Sequence, residues 1–275
     1  MRRRRPWLVL VILLVAAWSW SSLNIEAARI GEAPGALRRL AEMSWPPHLG
    51  PSGAFLMEVL KALVETLHIA FLSTLLGSVL AIPLALMAAR NLAPPGLVAA
   101  SRLVASAIRV LPSLLWALLV VMIVGLGPLA GVIAITLYTV GYLSKLQYEG
   151  LEGVPRDALE AVRAMGATRL QQAWHVALPE SGNAIRSQLL FMFEYNVRAS
   201  SIIGLVGAGG IGQLLLNHLP FNNYAHILTI VLVLFVAVAL LDVASLWARR
   251  RFIEVPEGPR ARWRDAAQQA TVGSL

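Results

Sequence analysis

Glu194 and Arg198 stand four residues apart inside an apolar run that extends from Ile185 to Val206. On a helix that spacing puts both on one face, with glutamate first, the order in which such a pair attracts best. Charges at this depth are costly unless they are paired or face a cavity. One reading is an intrahelical pair that neutralises itself. The other is that Arg198 lines a path through the protein and attracts an anion, with Ser200 and Ser201 beside it. Immediately downstream, Gly207-Ala208-Gly209-Gly210-Ile211-Gly212 matches GxGxxG to the letter. A dinucleotide site needs a strand before those glycines and an acidic residue about 20 positions after them. Here an apolar helix precedes them and Asp242 lies too far away. A glycine-rich break at the end of such a helix suits irregular backbone near a gate.

Other chemistry is scarce. The sequence has no cysteine, which excludes thiol catalysis, disulfides and thiolate metal sites. The five histidines, His48, His68, His175, His218 and His226, lack metal-ligand spacing. No GxxxxGK[ST] phosphate loop occurs, and no nucleophile with its base or pair of carboxylates presents itself. No catalytic residue and no metal ligand is assigned.

The chain is 57% hydrophobic and 14% charged, with a mean hydropathy of +0.68, too little polar material to cover a soluble domain of 275 residues. Its net charge of +8 sits mostly beside apolar runs, a pattern of membrane orientation rather than nucleic-acid binding. An all-α membrane protein with six spans is expected. The first span, Trp7 to Leu23, follows Arg2 to Arg5. A signal peptide would share that pattern, but no small-x-small cleavage site lies near Asn24 to Ala28, so an uncleaved anchor is preferred. The others are Thr66 to Ala89, kinked at Pro83; Ala105 to Val124, with Arg109 snorkelling at its basic end; Leu129 to Ser144; Ile185 to Val206; and Ile227 to Leu246. With both termini in the cytoplasm, most arginines, including Arg90, Arg102, Arg163 and Arg249 to Arg251, fall inside, as the positive-inside rule requires. The external stretch 24–65 should end in a short amphipathic helix bearing Glu58, Lys61 and Glu65. The tail after Pro256 reads as polar and disordered.

The longest polar stretch between two spans, 149–179, reads as two short helices broken at Gly166. Pro155 suits the first turn, with Asp157 at the positive end of that helix. Leu159, Val162 and Met165 form a stripe, and Gly166 closes the helix as glycine does at a carboxyl terminus. Thr168 and Gln171 form a capping-box pair for the second helix, which carries Leu170 and Trp174 one turn apart and stops at Leu178-Pro179. Such a loop could be a docking knob or could lie on lipid headgroups, and periodicity alone leaves both open.

Residue identity favours docking. Glu160-Ala161-Val162, three residues, Gly166, nine residues, then Val176-Ala177-Leu178-Pro179 resembles the EAA loop of ABC importer permeases, with Val162 and Val176 as conservative departures. The resemblance covers 65–250 and implies a five-helix permease core behind one N-terminal anchor helix. It also implies that Glu160, Ala161, Gly166, Leu178 and Pro179 couple to a separate ABC ATPase subunit, Glu160 at the contact and Gly166 at the turn. A local role for Glu160, paired with Arg163, is the competing reading. The stretches 196–212, including Gly207, Gly209, Gly210 and Gly212, and 126–132 are similar to the phosphonate-type branch of that family. Related permeases for methionine share the glycine segment. The resemblance implies a non-enzymatic subunit that binds no cofactor, with ATP and Mg on the partner ATPase. It further implies an extracytoplasmic solute-binding protein, a second permease copy in a homodimer and a bacterial inner-membrane location. The expected divisions are an anchor at 1–23, an external loop at 24–65, a transport core at 66–248 containing the coupling loop, and a cytoplasmic tail at 249–275. A secondary transporter would be expected to place acidic groups on several helices, and Glu194 alone is deep.

Overall fold

A computed structural model of the protein describes residues 6–23 and 27–252. The run Arg2 to Arg5 and the tail beyond Pro256 lie outside the described residues. Every regular element among those residues is a helix. The chain divides into two units, Met1–Pro46 and Pro47–Leu275.

The first unit holds α1, Pro6–Ser22, and α2, Ala27–Ser44. The 17 residues of α1 are apolar on every side, and Trp7, Leu10, Ile12, Leu14 and Trp18 are all exposed. A helix of that kind is stable in lipid, although it falls short of the roughly 20 residues of a perpendicular span. Helix α2 was not anticipated from the sequence; it runs through Pro34 and carries an Arg38–Glu42 pair at 2.8 Å.

The second unit begins with α3, Ala54–Ala88, a single helix of 35 residues. The amphipathic segment with Glu58, Lys61 and Glu65 is therefore its first turns and not a separate helix. No glycine or proline between Phe55 and Gly77 could stop it, and Pro83 lies within it without ending it. Next come α4, Pro95–Val110, and α5, Ser113–Val124, bent by 84°. This corrects the expected single span from Ala105. Pro112 has no N–H for the carbonyl of Ile108, and the indole Nε1–H of Trp116 donates to that carbonyl instead, at 3.0 Å. The freed carbonyl is satisfied and the bend is held.

Helix α6, Pro128–Glu152, is 25 residues long and runs past the expected end at Ser144. The linker helices are α7, Arg156–Ala164, α8, Arg169–Gln172, and α9, Leu178–Glu180, followed by α10, Gly182–Ile203, α11, Gly210–His218, and α12, Tyr224–Phe252. Helices α3 and α6 pack along each other at the centre, with α4, α5 and α10 around them. Ile69, Ala117, Ala130, Ala134, Ile135 and Ile203 form one core cluster, where small residues let the backbones approach. Across this cluster, Asn196 is fully buried and its Nδ2 donates to Thr74 Oγ1 at 2.9 Å and Thr139 Oγ1 at 3.0 Å. One amide thus joins α3, α6 and α10.

Among the described residues, four helical runs are long and apolar enough to cross a membrane: Pro51–Ala88, Pro128–Glu152, Gly182–Phe221 and Tyr224–Arg251. The bent pair α4–α5 makes a fifth if it counts as one span.

Candidate functional site

The linker between α6 and α10 folds as a knob. Leu159 of α7 and Ala173, Val176 and Ala177 beyond α8 bury against Ala85 of α3, Ala89 and Leu92 just after it, and Leu151 of α6. Val162 packs at the edge of the same cluster. Met165, Leu170 and Trp174 do not join it; they are 78%, 72% and 63% exposed. The expected stripe therefore splits. Leu159 and Val162 hold the knob to the bundle, while three large apolar side chains project from it, an arrangement typical of a surface awaiting a partner.

The turn between its helices is a complete Schellman motif. Gly166 N–H donates to Arg163 O at 2.9 Å and Ala167 N–H to Val162 O at 3.3 Å, with Gly166 at φ +86°. The capping box follows as expected. Gln171 N–H donates to Thr168 Oγ1 at 3.3 Å and Thr168 N–H to Gln171 Oε1 at 2.8 Å. Pro155 is the cap of α7 and not a residue of its first turn. Leu178-Pro179 does not stop the second helix. The turn Ala173–Ala177 is a π-helix in which Leu178 N–H reaches Ala173 O, and this wider turn takes Pro179 into α9. The break falls at Ser181, with ψ −1°.

Glu160 is exposed and makes no ion pair among the described residues; Ala161 is exposed beside it. Its local pairing with Arg163 is not formed. Glu160 instead borders a cavity of about 470 Å³ together with Arg90, Asn91, Glu152, Arg156 and Arg163.

The glycine segment makes a tight hairpin between α10 and α11. Gly207, Gly209 and Gly210 have φ of 85°, 86° and 71°. Gly212 lies so close to Ser201 that a Cβ there would clash with the Ser201 carbonyl oxygen and come within 2.8 Å of Gly204 Cα. The start of α11 is held by α3: Gly210 N–H donates to Glu65 Oε1 at 3.0 Å and Ile211 N–H to Thr66 Oγ1 at 2.8 Å. A carboxylate and a hydroxyl from another helix thus cap an amino terminus whose own glycines offer no side chain. Sequence reasoning placed Glu65 on an amphipathic face and missed this role.

Glu194 and Arg198 do not pair with each other. Arg198 binds Asp242 of α12, while Glu194 accepts from Ser245 and, at 2.9 Å, from Arg249, both also on α12. The shared face is real, but it clasps α12. Ser200 and Ser201 are buried, with Oγ atoms directed at the Thr66 and Val197 carbonyls at 3.5 and 3.1 Å. Near the opposite end of α11, His48 and His226 stack at 4.0 Å and His218 and His226 at 4.9 Å around Phe55. Among the described residues no group of three or more histidines and carboxylates is placed to hold a metal ion.

Residues 81–253 match the family model described as "Binding-protein-dependent transport system inner membrane component". The phosphite transport system permease protein PtxC of Stutzerimonas stutzeri is 33% identical over 246 residues, covering 89% of this chain and 87% of that protein. The phosphate-import permease protein PhnE of Mycolicibacterium smegmatis is 34% identical over 76% of this chain, a region that makes up 39% of its own length. Among solved structures, the MetNI methionine ABC transporter in inward-facing form superposes with a TM-score of 0.61 at 25% identity, over 70% of this chain and 94% of the matched chain.

Proposed function

The chain belongs to the family of binding-protein-dependent transport system inner membrane components, and from that membership we propose that it is the permease subunit of a bacterial ABC importer for a phosphorus oxyanion. Phosphite, a phosphonate and phosphate are the solutes in view. The observation that carries the solute class is the 33% identity with a phosphite permease across most of both chains. Methionine has weaker support, a likeness of fold to MetNI at 25% identity.

In this reading the permease undergoes no covalent chemistry and holds no cofactor. ATP and Mg bind on a separate ATPase subunit, and the knob formed by α7 and α8 seats in that subunit. Glu160, Ala161 and Gly166 are the contact and the turn, and Leu178-Pro179 is the return to the bundle. Glu160, exposed and without an ion pair among the described residues, and the projecting Met165, Leu170 and Trp174 support this assignment. A solute-binding protein delivers the anion from outside to a homodimer whose protomers enclose the path. Closure of the ATPases moves the knobs and reverses access, with the hairpin at Gly207, Gly209, Gly210 and Gly212 at the outer gate. Both termini lie in the cytoplasm, and α1 is an anchor that completes six spans, ahead of an external segment to Glu65 and the transport core.

Two arms test this reading. Uptake of labelled phosphite, methylphosphonate, phosphate and methionine is compared in vesicles carrying this chain with its ATPase and binding protein. Uptake confined to phosphorus compounds is expected; uptake of methionine alone rejects the solute. The path role of Arg198 is tested beside it. Arg198→Gln strands Asp242 and should impair uptake severalfold. The double variant Arg198→Gln/Asp242→Asn removes both charges, and if Arg198 touches solute, uptake stays low. Recovery in the double variant would assign Arg198 to the clasp alone.

A further inference from the structure

Among the described residues, the charges that enter the helix bundle are engaged, with one exception. Glu194 is paired with Arg249, Arg198 with Asp242 and Arg102 with Glu152, and Glu65 caps α11. Arg109 has no acidic partner there, and its Nε is buried without a hydrogen-bond partner. It stands in the last turn of α4, next to the 84° bend. Gly141 of α6 lets it lie there, since a Cβ at that position would come within 3.0 Å of Arg109 Cγ.

Arg109 opens onto a cavity of about 430 Å³ lined with Ser106, Val110, Tyr138 and Tyr142. Tyr138 lies near the middle of α6, stacked on Tyr142 at 5.9 Å and on Tyr195 of α10 at 5.4 Å. Tyr195 and Tyr138 join their hydroxyls at 3.1 Å. The cavity therefore offers a permanently charged guanidinium, three hydroxyls and no carboxylate. A guanidinium left unpaired at this depth is too costly to face acyl chains, so this wall faces water or solute.

We propose that Arg109, with Ser106, Tyr138 and Tyr142, forms a binding station for the tetrahedral oxyanion midway along the path. This rests on the permease reading above. A guanidinium presents a fork of N–H donors to two oxygens of the anion, and the hydroxyls donate to the others. One cation holds the anion weakly enough to release it, as passage requires. The bend at Pro112 sets the height and aim of Arg109, so the station depends on a feature that a straight span would lack.

The test is uptake of labelled phosphite by the reconstituted transporter carrying Arg109→Gln, Arg109→Lys or Tyr138→Phe, with rate measured against the concentration of loaded binding protein. Arg109→Gln should lower the maximal rate about tenfold, the scale of a lost hydrogen bond to a charged group. Arg109→Lys should retain more, because it keeps the charge. Wild-type uptake by Arg109→Gln overturns the station. Should that variant fail to assemble, Tyr138→Phe, which keeps the ring stack, decides: an approximately threefold lower rate supports the station, and an unchanged rate overturns it. If the wild type carries methionine and no phosphorus compound, the solute reading fails by itself. The station is then judged on methionine, whose carboxylate would occupy it: a tenfold loss in Arg109→Gln keeps it and no loss removes it.

Discussion

Gly166→Val is expected to reduce ATP hydrolysis driven by loaded binding protein about tenfold or more, and uptake with it. Gly166 sits at φ +86° and carries one of the two backbone hydrogen bonds that close α7. A β-branched residue forced into that region costs about 1–2 kcal/mol or more. The chain escapes the strain by opening the Schellman motif, which is the joint between α7 and α8. Thr168 then loses its register as a cap, and the projecting Leu170 and Trp174 move away from Met165. Space is not the limitation, because nothing lies within 4 Å of where the Cβ would stand. Gly166→Ala should therefore lose about threefold or less, and Gly166→Asn less still, since asparagine tolerates this conformation. Measuring solute-driven ATPase activity across the three variants checks the order. Full activity in Gly166→Val would show that the turn does not transmit the ATPase stroke.

Gly212→Ala should fail for the opposite reason. Its φ is not in the left-handed region, but the added Cβ would clash with the Ser201 carbonyl oxygen and press on Gly204. Both obstacles are backbone atoms, so no side chain can rotate away. Helices α10 and α11 must separate, and the bonds from Gly210 and Ile211 to Glu65 and Thr66 strain with them. A loss of about 3 kcal/mol is expected, the upper end for overpacking a tight interface. The melting temperature of the purified complex in detergent reads this directly. Gly96→Ala in α4, with open space around it, is the matched control and should melt with the parent or above it.

The parts of the molecule governed by local chemistry were legible in the sequence. The turn at Gly166 and the Thr168–Gln171 box depend on residues within one or two turns of each other, and both formed as expected. The glycine break after α10 was legible for the same reason. Features set by neighbours distant in sequence were not. An i,i+4 rule joined Glu194 to Arg198, but nothing local reveals that α12 presents Asp242, Ser245 and Arg249 along the same face. Glu65 looked like one of several charges on an amphipathic turn until α11 folded back onto it. The bend at Pro112 was hidden by the apolar run around it. A proline there frees the carbonyl four residues earlier, and Trp116, one further turn along, was the available donor. Reading that pair would have placed Arg109 at an elbow and not at a membrane surface.

The most direct measurement is ATP hydrolysis by the reconstituted complex of this chain, its ATPase and its binding protein, with the binding protein empty or loaded with phosphite. Stimulation that needs the loaded protein, and that Gly166→Val removes, is the expected result. Hydrolysis indifferent to the solute, or failure of the chain to associate with any ATPase, would contradict the assignment of this protein as the coupled permease.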